Sequence, residues 1–129
     1  MSRRYLSVRE AESAIVSGKS VECFLGKCER HGMQGIRWLA ISLSQDKNQV
    51  FLRRYDTADL GTPEYLDLYE FGPLDPNLAQ EDADEFFEFN DFSELWSAME
   101  HRFPGSTALL LNQGVIQDEY KSYKANSEA

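Results

Sequence analysis

Apolar and polar residues change their period several times along the chain, and each change marks an element. Val8, Ala11, Ala14 and Ile15 recur at helical spacing. They follow the N-cap of Ser7-Val8-Arg9-Glu10, which has the Ser-x-x-Glu pattern of a capping box. A helix over about 8–17 is predicted, with Gly18 as its stop. Val21 to Glu29 alternates in part. Ile36 to Leu43 alternates clearly, with Ile36, Trp38, Ala40 and Ser42 opposed to Arg37, Leu39, Ile41 and Leu43, and Gln49 to Tyr55 is rich in β-formers. Three strands are expected, the second and third joined as a hairpin through the short polar segment Ser44 to Asn48.

Leu60-Gly61-Thr62-Pro63 breaks the pattern. Glu64 to Phe71 then sets Tyr65, Asp67, Tyr69 and Phe71 against Leu66, Leu68 and Glu70, which predicts a fourth strand. Gly72-Pro73-Leu74-Asp75-Pro76-Asn77 reads as a rigid, surface-exposed loop, and Phe87 and Phe89 lend short strand potential to an acidic stretch. Phe92, Leu95, Trp96 and Met99 fall at i, i+3, i+4 and i+7 behind Asn90 or Asp91 as cap, and Asp91 with Glu94 again has capping-box spacing. This is the strongest helix signal in the chain, and Pro104-Gly105 ends it. The apolar run Thr107 to Leu111 predicts a strand, central and covered on both faces because Leu109 to Leu111 are all apolar. A last helix from Val115 to about Lys124 carries Ile116, Tyr120 and Tyr123 on one stripe, with acids near its start and lysines near its end.

Directly successive strands favour antiparallel pairing, and helices kept to one face give the α+β class. The expectation is one α+β domain over residues 1–124, mainly an antiparallel sheet of about 4–6 strands with about three helices, and a frayed tail at 125–129. The length of 129 residues, 42% of them hydrophobic, suits a single core and leaves little room for two.

Charge sharpens this picture because it is unevenly placed. Residues 1–54 hold ten bases and five acids (+5), residues 55–101 hold fourteen acids and no Lys or Arg (−14), and residues 102–129 hold three of each, which gives the net −9. Nucleic-acid binders need a basic face to neutralise phosphates, so direct nucleic-acid binding is not expected. Neither an apolar signal-peptide core nor a run of the roughly 18–20 apolar residues that span a bilayer occurs. With only Cys23 and Cys28 as thiols, the expected setting is the reducing cytoplasm, away from membranes.

Candidate chemistry is sparse. Cys23, Cys28, His31 and His101 would make a Cys2His2 zinc set, but the cysteines are five apart in an apparent strand, which points them to opposite faces. Cys28 beside His31 is the nearest approach to a nucleophile and base, and no nucleophile elbow accompanies it. His101, at a helix end, suits the C-terminal dipole. The glycines form no phosphate-binding loop, and the acids from Asp82 to Glu94 lack the glycine of a calcium loop. No catalytic residue, metal or cofactor is assigned.

The acid block remains. It interleaves fourteen carboxylates with Tyr55, Tyr65, Tyr69, Phe71, Phe86, Phe87, Phe89, Phe92 and Trp96. A face of one sign repels itself, and solubility alone is better served by mixed charge. The reading is an electrostatic docking surface over 64–94 for a basic protein. Its expected contact residues are Tyr65, Asp67, Tyr69, Glu70, Glu81, Asp82, Asp84, Glu85, Phe87, Glu88 and Asp91, the aromatics acting as anchors. An inhibitor or immunity-type protein that neutralises a basic toxin or nuclease fits this pattern. The alternatives are a regulatory adaptor or a homo-oligomer in which the +5 portion of one chain meets the −14 block of another; a small enzyme with a Cys/His or carboxylate site ranks below both.

Overall fold

In the computed structural model, residues 5–30, 32–62, 66–79 and 82–127 are described. Five strands, β1 (Val21–Arg30), β2 (Met33–Leu43), β3 (Val50–Ala58), β4 (Glu85–Phe89) and β5 (Leu110–Asn112), form one sheet in the order β4-β3-β2-β1-β5, every neighbouring pair antiparallel. Three helices accompany it, α1 (Val8–Val16), α2 (Phe92–Arg102) and α3 (Ile116–Ser127), so the chain is α+β. No helix among the described residues is long and apolar enough to cross a membrane.

Local chemistry sets most of these limits. Ser7 Oγ accepts from the Glu10 amide while Glu10 Oε1 accepts from the Ser7 amide, the reciprocal pair that starts α1. Asp91 caps α2 by accepting from the Glu94 amide at 2.8 Å. At the β2–β3 turn, Ser44 and Asp46 take up the amides of Gln49 and Asn48 that the turn leaves unpaired.

The sheet is covered on both faces, which departs from the one-face expectation. Ala11 and Ile15 of α1 and Leu95 and Met99 of α2 pack on Val21, Cys23, Leu39, Ile41, Val50, Leu52 and Leu110. On the other face, Ile116 and Tyr120 of α3 join Leu68 and Phe71 over Phe24, Ile36, Trp38 and Leu111. The sequence underestimates α3, whose acids and lysines dilute its stripe. The helix also runs on to Ser127, beyond its expected end.

Three further expectations are corrected. Residues 66–71 are not a strand: Leu68–Glu70 is a 3-10 turn capped by Asp67, whose carboxylate accepts from the Tyr69 amide, and Leu68 and Phe71 bury at i, i+3. Strand β5 lies at a sheet edge and not at its centre, yet Leu110 and Leu111 are buried in opposite cores, which accounts for the continuous apolar run. The loop 72–77 is docked on the sheet as well as exposed. Where β4 ends, it extends the hydrogen bonding of β3: the Leu74 amide donates to the Asp56 carbonyl, the Ala58 amide to the Gly72 carbonyl, and Leu74 is buried.

Strand β1 carries a bulge between Phe24 and Gly26, with Gly26 at φ +89°, a conformation that suits glycine. The extra residue resets the alternation. Cys23 pairs with Leu39 and Cys28 with Gly35, two positions of like parity on β2, so both cysteines face the α1/α2 side and not opposite sides as plain alternation predicts.

Candidate functional site

On the α3 face, residues of β2 and β3 together with residues from 68–73 and 82–84 line a cleft of about 150 Å³. Trp38, Tyr55 and Tyr69 supply its aromatic surface, Leu68, Phe71 and Pro73 its apolar lining, and Asp82 and Asp84 its carboxylates. Trp38 and Tyr55 stack at 4.3 Å between centroids, and Tyr69 meets Trp38 edge-on at 5.5 Å. These rings are fixed by hydrogen bonds. Trp38 Nε1 donates to Thr57 Oγ1 at 3.1 Å, and Tyr69 Oη donates to Glu22 Oε1 at 2.6 Å. Asp84 is held in turn, accepting from the Asp56 amide at 2.7 Å.

Glu22 is the buried member of this network. Burial pushes its carboxyl above the ordinary glutamate value, and the bonds from Tyr69 and the Gly114 amide offset this only in part. Burial and the neighbouring Glu22 also raise the Tyr69 phenol, which stays a neutral donor. The folded protein thus holds the Glu22 proton more tightly than the unfolded chain, and the associated stability declines as pH rises through the folded value. Glu22→Gln keeps an acceptor for both donors without the charge. Thermal melts from pH 4 to 8 are expected to show the variant gaining on wild type as pH rises; a variant that loses ground with pH would contradict this reading.

The structure sorts the residues expected from sequence. Tyr69, Asp82 and Asp84 meet at the cleft. Asp67 caps the 3-10 turn and accepts from Gln117 Nε2, Glu70 is exposed on that turn, and Asp91 caps α2. Glu85 faces the other way: it accepts from Arg54 Nε at 2.7 Å and lies 3.7 Å from Arg102, so its charge is met within the fold. Phe87 is a packing residue beneath Arg102 on the α1/α2 face, while Phe86 is the exposed ring, 46% accessible beside Phe51 and Arg53. Glu88 is exposed on the edge strand β4. Tyr65 and Glu81 lie outside the described residues. The expected contact set lacks Trp38 and Tyr55, because both sit in the basic N-terminal half and its border; their signal is the regular alternation that puts them on one sheet face.

Thiol chemistry finds little support. Cys28 is pushed up to about 11 by burial first and the nearby Asp56 carboxylate second, which favours the protonated thiol over the nucleophilic thiolate. Burial takes Cys23 to about 12, and its Sγ donates to the Ser106 carbonyl. His31 lies outside the described residues, and no cluster of metal-ligating side chains occurs among those described.

Comparison of the chain with protein-family models, with curated proteins and with solved structures finds no match.

Proposed function

We propose that this chain is a protein-binding module that neutralises a basic partner, and that the cleft receives a lysine or arginine side chain of that partner. The supporting observation is the pairing of fixed aromatic faces with two carboxylates in one small cleft. Aromatic faces attract a desolvated cation, and carboxylates beside them supply the counter-charge that guanidinium or ammonium requires. A space of about 150 Å³ is of the order that an engineered cavity needs to hold benzene, a fair match to one cationic head group. The exposed acids Glu70 and Glu88 would raise the rate of encounter with a positive surface.

An inhibitor or immunity-type protein that covers the active site of a basic toxin or nuclease fits this chemistry, since such an enzyme must be cationic to hold nucleic acid. Two free cysteines suit action in the reducing cytoplasm. Capture from the native cell tests the proposal. Immobilised wild-type chain is expected to retain a basic polypeptide that elutes with rising salt, and an Asp82→Lys, Glu88→Lys double variant is expected to lose it. Retention of the same polypeptide by both would contradict the proposal.

A further inference from the structure

The opposite face of the sheet carries an unusual concentration of positive charge for a chain of net charge −9. Arg30, Arg37 and Arg54 all bond the single carboxylate of Asp56: Arg37 does so through Nε at 2.7 Å and a terminal nitrogen at 3.0 Å, Arg30 at 3.1 Å, and Arg54 through its terminal nitrogen. Glu85 answers Arg54 and Arg102. Among the described residues, Arg37, Arg54 and Arg102 thus meet Asp56 and Glu85, a local excess of one positive charge. Arg37, Arg54, Glu85, His101, Arg102 and Phe103 line an open cavity of about 460 Å³ between the sheet and the end of α2.

Protein groups hold the cationic walls in place. Asp56 anchors Arg37, and Arg102 lies 4.5 Å over the Phe87 ring, yet their side chains remain 30% and 49% accessible. Each guanidinium has five N–H donors, and the bonds to Asp56 use two of those on Arg37. The remaining terminal N–H donors of Arg37, and the guanidinium of Arg102, face the cavity as charged donors that an oxyanion can accept from.

We propose that this cavity is a binding site for a small multivalent oxyanion, phosphate or polycarboxylate, clamped between Arg37 and Arg102. None of the residues that line this cavity lines the aromatic cleft, although Asp56, which anchors Arg37, borders that cleft; the oxyanion site does not rest on the partner-binding role. The test is an NMR titration of the full chain with inorganic phosphate at constant ionic strength, following the Arg Nε and His101 ring resonances. Saturable shifts at Arg37, Arg102 and His101 are expected, with sodium chloride alone producing none. Arg102→Gln, at a position whose side chain is half accessible, is expected to weaken phosphate at least tenfold. Glu85→Gln removes the competing carboxylate and keeps an amide oxygen for Arg54, and is expected to tighten phosphate several-fold. Citrate in a parallel titration identifies the source: tighter citrate assigns the cavity to polycarboxylates, tighter phosphate to phosphate groups. Shifts that do not saturate with either anion, or an Arg102→Gln protein that binds as wild type does, would overturn the proposal.

Discussion

Replacing Asp56 by alanine is expected to destabilise the fold by about 3–5 kcal/mol, the range found when one partner of a buried ion pair is removed and the other left unpaired. The Asp56 side chain is fully buried and receives Arg30, Arg37 and Arg54 together. Without it, Arg54, only 6% accessible, keeps Glu85 alone as counter-charge. That loss is a large part of the roughly 5–15 kcal/mol that stabilises a typical domain. Urea denaturation is the direct measurement: a sharp drop in midpoint is expected for Asp56→Ala and a smaller one for Asp56→Asn, which retains an acceptor but not the charge. An Asp56→Ala stability within about 0.5 kcal/mol of wild type, the range of ordinary surface changes, would show that the cluster contributes little. Burial alone would raise the Asp56 carboxyl, but the bonds from Arg37 and Arg54 outweigh it and hold it below the ordinary aspartate range. Its contribution is therefore complete above the unfolded-chain value, about 3.9, and is lost as pH falls through the lower folded value. Wild type should show this acid loss and Asp56→Asn should lack that component.

Gly35→Ala is the second large effect, and its origin is steric. A Cβ at position 35 would lie 2.3 Å from the Thr57 carbonyl oxygen and 2.8 Å from Leu74 Cδ1. The first of these is backbone within the sheet and cannot rotate away. Strand β3 must separate locally from β2, or the 72–74 loop must leave its seat. The expected cost is at the upper end of the roughly 1–3 kcal/mol typical of overpacking. Because Pro73 in that loop lines the aromatic cleft, weakened binding of cationic ligands should accompany the lower melting temperature. A fully stable Gly35→Ala protein would mean that the loop is not seated as described.

Periodicity made most of the architecture legible, and its failures have physical causes. Helices α1 and α2 announced themselves through Ser7/Glu10 and Asp91/Glu94 because a cap is written in local sequence. The 64–71 stretch misled because 3-10 spacing and strand alternation both place Leu68 and Phe71 plausibly, and Gln117, which accepts from the Leu68 amide, is 49 residues away. The bulge at Gly26 is likewise silent in an alternation count, yet it decides where Cys28 and Arg30 point. At the candidate site, the sequence located the acids but not their pairing. Glu85 and Asp82 are three residues apart and look alike, but one is neutralised by Arg54 and Arg102 while the other edges the cleft. Counter-charges contributed from the N-terminal half are a tertiary fact, and they reduce the uniform acid block to a smaller acidic site around Trp38, Tyr55 and Tyr69.

The central claim is that this cleft binds a cationic side chain, and the indole N–H of Trp38 is its most direct reporter. An arginine-containing peptide titrated into the full chain should shift the Trp38 Nε1–H resonance saturably. The Trp96 indole, which donates to Glu12 on the other face, should remain unmoved. The shift should weaken at least tenfold in an Asp82→Asn, Asp84→Asn double variant, in which the new amide oxygen at position 84 can still accept from the Asp56 amide. A Trp38 resonance that ignores the peptide, or that responds equally in the double variant, would contradict the account.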